Sequence, residues 1–259
     1  MTQLWNMLLH FLLLTLLVAL IAAQTNYCDP EWCRRGSRHI ACNNNGSWHA
    51  ACPTRPAPVL VPMTLGLRRL ILRAHNTRRN QLAGGNLRGF PSALRMATML
   101  WDEELARLAD LNVRQCTMEH DDCHNTPRFR ASGQNLAYIA YPGRRRARSD
   151  AQLSAQCIAM WWNEHRGATI AQINRYPEIS ARVIGHFTAM AQMNNTHCGC
   201  AAARYLRNRR NVYLFACNYA TTNWIGRPVY VAGRRASACS TGRNINFPAL
   251  CSLAEVYSV

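Results

Sequence analysis

The chain contains no lysine: all 30 of its basic Lys/Arg positions are arginine, so every such positive charge is a guanidinium. It is also poor in acids, with 13 Asp and Glu, which leaves a formal charge of +17. Apart from residues 8–23 it has no long apolar run, and this excludes a polytopic membrane protein. Its 14 Gly and 11 Pro are too few for a collagen-like chain, and 49% hydrophobic with 17% charged residues excludes disorder. Common enzyme signatures are missing as well. There is no Gly-x-Ser-x-Gly elbow, phosphate-cradling glycine loop, His-Glu-x-x-His pair or Cys-x-x-Cys, and no internal repeat.

What the chain does have in excess is cysteine, 12 residues, an even number suited to a disulfide framework in an oxidising compartment. The compartment is read from residues 1–23: the apolar run carries no charge before Asp29 and ends in Ile21-Ala22-Ala23-Gln24, a small-residue cleavage site. This predicts a signal peptide, a secreted and extracellular product that does not span the membrane after cleavage, and a mature charge still of +17. Two sequons, at Asn45 and Asn194, are then candidate glycosylation sites.

Four segments follow from composition and periodicity: a signal peptide at 1–23, a Cys-rich irregular extension at 24–63, a main domain at 64–220 and a tail at 221–259. Pro53, Pro56, Pro58 and Pro62 delay the first helix to about Thr64. From there Leu67, Leu70, Ile71, Ala74 and Arg78 share a face until Gly84-Gly85. Asp102 caps a second helix and Asp150 opens a third, whose stripe is Leu153, Cys157, Trp161 and Glu164. Residues 186–193, 200–205 and 212–219 alternate like strands, the last two flanking a long basic hairpin tip at 206–211. Pairing Tyr205 with Val212 sets Cys200 opposite Cys217, within disulfide reach. Cys239 and Cys251 read as a staple on the tail. Helices preceding strands, without regular βαβ alternation, indicate an α+β domain.

His120, Glu164 and His186 are polar groups set among apolar residues, and two imidazoles with a carboxylate suit a Zn-type site or acid–base work. Five segments then carry a resemblance: His75-Asn76-Thr77-Arg78-Arg79, Ser132-Gly133-Gln134-Asn135-Leu136, Trp161-Trp162-Asn163-Glu164, Gly185-His186-Phe187-Thr188-Ala189-Met190 and Cys217-Asn218-Tyr219. In order and spacing they resemble the CAP superfamily of cysteine-rich secretory, antigen 5 and pathogenesis-related proteins, over about residues 64–219. The Cys-rich extension and Gln134, where many members have Glu, resemble the antigen 5 branch.

The resemblance implies a three-layer α-β-α sandwich with a disulfide-rich N-terminal extension and a cleft collecting His120, Gln134, Glu164 and His186. It implies bridges Cys28–Cys42, Cys33–Cys123, Cys52–Cys116 and Cys200–Cys217. That leaves Cys157 and Cys198 over, and a bridge between them is expected, so that no thiol stays free. Two departures matter: Ala189-Met190-Ala191-Gln192 lacks the aromatic residue usual in the family, and Gln134 cannot titrate. The expectation is therefore a non-enzymatic module with no catalytic residue, binding a lipid or sterol, another small ligand or an extracellular protein. No cofactor is obligatory, with Zn or Mg held weakly by His120 and His186. The competing expectations are a metal-dependent cleft hydrolase or protease using His120, Glu164 and His186, and an arginine-rich adhesive protein for anionic glycans or lipids. A nucleic-acid partner is not expected.

Overall fold

The computed structural model describes residues 25–259, so the expected signal peptide lies outside the described residues. The elements in chain order are β1 (Val59–Leu60), α1 (Leu65–Ala83), β2 (Leu100–Trp101), α2 (Glu103–Val113), β3 (Gly133–Tyr141), α3 (Asp150–Asn163), α4 (Ile170–Asn174), α5 (Gly185–Ala191), β4 (His197–Arg207) and β5 (Arg210–Tyr219). The helix starts follow from capping chemistry. Thr64, Asp102 and Ser149 each accept a hydrogen bond from the backbone of the first turn, and Ser149 completes a capping box with Gln152.

The sheet runs β1-β4-β5-β3, with β2 added in parallel to β4. Side chains alternate across it with period two. Cys198, Cys200 and Ala202 of β4 and Tyr213, Phe215, Cys217 and Tyr219 of β5 enter the larger core, which α1, α3 and α5 cover. Ala201, Ala203 and Tyr205, with Val212, Leu214 and Ala216, face the opposite way, toward α2. This is the expected three-layer arrangement. The α2 layer sits unusually close, because Gly199 has no side chain where the backbone of α2 crosses β4.

Five disulfides are present: Cys28–Cys42, Cys33–Cys123, Cys52–Cys116, Cys200–Cys217 and Cys239–Cys251. Cys200 and Cys217 are register partners on β4 and β5 with Cα atoms 4.1 Å apart, as the pairing of Tyr205 with Val212 requires. The second and third bridges bind the N-terminal extension to the segment after α2. Tyr27 stacks on His39 there, and Asn125 Nδ2 donates to the Trp32 carbonyl at 2.7 Å. At the other end Glu255 latches the tail, accepting from Arg95 and from Ser240 and Thr241. Val229, Tyr230, Ala249 and Leu250 join the large core, so residues 221–259 are packed chain rather than an appendage.

Four expectations are corrected. Residues 186–193 do not form a strand, because 185–191 are the helix α5, buried on all sides from Phe187 to Ala191 with Thr188 included. A short segment buried on every side has no period to distinguish helix from strand. The hairpin tip is short: β4 and β5 extend to Arg207 and Arg210, leaving Asn208 and Arg209 at φ 50° and 61°, the conformation of a two-residue I′ turn. On α1 the buried polar residues are His75, Asn76 and Arg79, and Arg78 is only partly covered.

The fourth concerns Cys157 and Cys198, which are free and buried thiols. Cys157 lies one turn after Ser154, whose hydroxyl meets Tyr213 at 2.7 Å, whereas Cys198 pairs in register with Tyr219. Those two tyrosines are roughly 20 Å apart along β5 at strand spacing, far beyond the Cα separation a disulfide spans. Burial pushes both thiols up to about 12, so neither is a thiolate at neutral pH. Thiol labelling should therefore modify two cysteines in denaturant without reductant and none in the native protein over the same time. Labelling of none in denaturant would restore the bridge.

Candidate functional site

The four residues singled out from sequence assemble as two hydrogen-bonded couples at the Gly133 end of β3. In the first, His120, on the segment after α2, places Nδ1 2.7 Å from Gln134 Oε1. An amide oxygen only accepts, so Nδ1 carries the proton and Nε2 is left as the free lone pair. Gln134 is held in that orientation by its own donor: Nε2 donates to Asp121 Oδ2 at 2.7 Å and to Asn218 Oδ1 at 3.0 Å. Asp121 also accepts from His124 Nδ1 at 2.6 Å and Asn112 Nδ2 at 2.9 Å. Burial raises the Asp121 carboxyl, but these hydrogen bonds and the charge of His124 outweigh it and hold the group below its ordinary range. The carboxylate absent at position 134 is thus present one hydrogen bond away.

The second couple joins α3 to α5. Glu164 ends α3, and its Oε1 accepts from His186 Nδ1 at 2.6 Å. Its other oxygen accepts from the backbone N–H of His186 at 2.9 Å and of Phe187 at 3.2 Å. Glu164 is therefore the missing N-cap of α5, which has no local capping side chain. Trp161 lies beside the couple, its ring 6.2 Å from that of His186 and its indole N–H donating to the Leu136 carbonyl at 2.8 Å.

Strand alternation separates the couples. Gln134 shares the α2 face of the sheet with Leu136 and Tyr138. Asn135, on the face of α1, α3 and α5, donates to the His186 carbonyl at 3.0 Å and to Tyr219 Oη at 3.3 Å. Tyr219 in turn meets His75 Nε2 at 3.0 Å, and burial lowers His75 to about 4, keeping it neutral. The couples thus straddle β3, the outer strand, with Asn135 the link to one and Gln134 a member of the other. Among the described residues no group of three or more His, Cys, Asp and Glu could hold a metal ion. Within the two couples, the imidazole nitrogens without a hydrogen-bond partner among the described residues are His120 Nε2 and His186 Nε2.

Sequence reasoning missed Asp121, His124, Asn135 and Asn218 as partners of these residues. The only signal was the polar density of Glu119-His120-Asp121-Asp122 and the Asn beside Cys217, which does not say what each side chain meets.

A second feature lies at the opposite end of the sheet. A groove of about 730 Å³ opens where β1, the first turn of α1 and the first turn of α3 converge. Val59, Leu60, Val61, Leu67 and Leu70 give it an apolar wall, and Arg145, Arg146 and Arg148 stand at its edge.

Comparison with known proteins agrees with this architecture. The profile of the Cysteine-rich secretory protein family, CAP, matches residues 72–219. Venom allergen-1 of Aedes albopictus is 38% identical over 246 residues, covering 94% of each chain. Antigen 5 like allergen Cul n 1 of Culicoides nubeculosus is 43% identical over 194 residues, 71% of this chain and 86% of that protein. Among solved structures, NaASP2 with Zn2+ has a TM-score of 0.61 at 24% identity, covering 78% of this chain and 100% of that one, which shows the fold. No helix among the described residues is long and apolar enough to cross a membrane. With the profile spanning most of the sandwich and the allergens aligned over most of the chain, this protein belongs to the CAP family, in its antigen 5-like, venom-allergen branch.

Proposed function

We propose that this protein is a secreted, non-enzymatic carrier that holds a lipid-class amphiphile with an acidic head in the groove between β1, α1 and α3. The observation that carries the reading is the make-up of that groove: aliphatic side chains together with Arg145, Arg146 and Arg148, and a volume within the range of small-molecule sites. An acyl or sterol body gains by leaving water against Val61, Leu67 and Leu70. A carboxylate or sulfate on the same molecule finds the fork of Arg145, Arg146 or Arg148. Secretion would also make Asn45, on an exposed turn, and Asn194 available for glycosylation.

The couples at the other end fit a supporting part in this reading. Glu164 is engaged at both oxygens, one capping α5 and the other accepting from His186 Nδ1, which leaves it poorly placed as a general base. With one imidazole Nε2 free in each couple, His120 and His186 offer a Zn or Mg ion few protein ligands, which favours weak binding over an obligatory cofactor.

Gly66 lies on the groove wall, and a Cβ there meets nothing closer than Thr64 Oγ1 at 3.9 Å. Gly66→Phe should therefore fill the groove and leave the core intact. Displacement of a fluorescent fatty acid should weaken by about tenfold or more, roughly the loss of a 1.4 kcal/mol contact, with an unchanged melting temperature. Extraction of the wild-type protein should yield bound lipid. Unaltered displacement by Gly66→Phe, or no displacement in the wild type, would sink the proposal.

A further inference from the structure

We infer that the hairpin end of the sheet is a binding surface for a linear sulfated polysaccharide. Two segments more than fifty residues apart in sequence build it. The loop between β3 and α3 contributes Arg144, Arg145, Arg146 and Arg148, and the β4–β5 tip contributes Arg207, Arg209 and Arg210. The sheet register makes them neighbours: Tyr141 at the end of β3 pairs with Asn211 at the start of β5. The contact is then stitched from the hairpin side. Asn211 Nδ2 donates to the Gly143 carbonyl at 2.7 Å, and Arg210 Nη2 donates to the Ala140 carbonyl at 3.3 Å.

None of these seven arginines has a carboxylate partner among the described residues. The carboxylate at the start of α3, Asp150, is taken by Arg204, whose side chain is only 7% exposed. Where the seven do bond, they use neutral acceptors: Arg145 the Ala57 carbonyl, Arg148 the Gln156 amide, Arg210 the Ala140 carbonyl. Three of the guanidiniums are thus held in place, and none of the seven is paired with a carboxylate. Crowded like charges oppose folding, and a polyanion laid across them removes that repulsion while it gains bidentate contacts.

The shape favours a chain of sulfates over a bilayer. Neither segment carries an exposed large apolar side chain that could enter a membrane. The arginines stand on a loop and a tip side by side, offering a discontinuous line of forks to a flexible polymer. Arg145, Arg146 and Arg148 also edge the amphiphile groove, but the hairpin arginines do not line it. The two proposals therefore separate experimentally.

The test uses the full secreted chain on immobilised heparin and, in solution, a heparin oligosaccharide beside phosphatidylserine/phosphatidylcholine vesicles. Replacing Arg207, Arg209 and Arg210 with Ser should weaken heparin binding by about tenfold or more at physiological salt, with a shallower salt dependence. Fatty-acid displacement and the melting temperature should not move. Replacing Arg144, Arg145, Arg146 and Arg148 with Ser should weaken heparin binding similarly. A control triple, Arg34, Arg35 and Arg234 to Ser, removes as much charge as the hairpin set from exposed positions elsewhere and should have little effect. Equal losses in the control and the hairpin variants would reduce the surface to net charge and overturn the inference. So would vesicle binding in place of heparin binding.

Discussion

Gly199→Ala should cost this protein at least about 3 kcal/mol of stability, a large share of the total in a domain of ordinary stability. A Cβ at position 199 would fall within overlap distance of the Ala106 amide nitrogen and the Asp102 carbonyl oxygen, and 2.7 Å from the Leu105 carbonyl carbon. All three are backbone atoms of the first turn of α2, so no rotamer change relieves the clash. The helix cannot retreat easily, because Asp102 N–H donates to the Cys198 carbonyl at 2.9 Å and Asn218 Nδ2 donates to the Leu105 carbonyl at 3.3 Å. Urea unfolding of the variant checks this, and a loss below about 1 kcal/mol would show that α2 can slide. As a contrast, Gly143→Ala places its Cβ in open space, and only its φ of 83° is strained, so the expected loss is about 1 kcal/mol.

Arg79→Leu should be comparably damaging for the opposite reason, a partner withdrawn. Arg79 is fully buried and has no carboxylate partner; its guanidinium bonds only to carbonyls, those of Ala97, Met190 and Gln192 at 2.7–3.2 Å and that of Met193 at 3.5 Å. Two of these lie at the C-terminal end of α5, where the helix dipole favours a cation. Burial lowers the group to about 10, which still leaves it charged at neutral pH. Leucine strands those acceptors in the core at about 1–3 kcal/mol each, so a total of about 3–5 kcal/mol is expected after partial relaxation. Arg79→Lys should recover only part, since an ammonium cannot reproduce the fork. Arg78→Leu is the internal control: its guanidinium bonds within its own helix, to the Ala74 carbonyl, and the loss should stay under about 1 kcal/mol. Equal losses at 78 and 79 in chemical denaturation would refute the assignment.

That neighbouring pair shows where sequence reasoning stops. A helical wheel drawn through Leu67, Leu70 and Ile71 puts Arg78 on the apolar face, because counting by three and four cannot resolve one residue when the stripe contains polar groups. The structure turns His75 and Arg79 inward, and what permits this is the set of carbonyls at the end of α5, contributed from more than a hundred residues away. Local chemistry was legible: the prolines before Thr64, the Asp102 cap and the opening at Asp150 placed the helix starts, and the facing of Cys200 with Cys217 followed from strand arithmetic. Segments buried on both faces were not legible. Strand β3 was not read as a strand at all, since residues 136–141 are apolar without alternation, and α5 was read as a strand because His186, Thr188 and Gln192 alternate with apolar residues over a segment too short to show a helical period. Of the four site positions, His120, Glu164 and His186 stood out as polar groups among apolar residues and Gln134 came from resemblance, but their division into two couples depends on which face of β3 each residue takes. Asp121 and Asn218 become partners of Gln134 only when the sheet register is known.

The bridges divide the chain in a way that bears on its integrity. Three of them close within residues 28–123 and two within 200–251, so no covalent crosslink spans residues 124–199. The exposed arginine loop at 144–148 falls inside that interval. A single cut there by a trypsin-like protease would convert the chain into a noncovalent pair of separately crosslinked halves. The halves would be held by the nine paired positions of β3 with β5 and by burial of the shared core. The same loop is therefore a natural break point for fragment complementation or circular permutation, where each half retains its own complete set of disulfides.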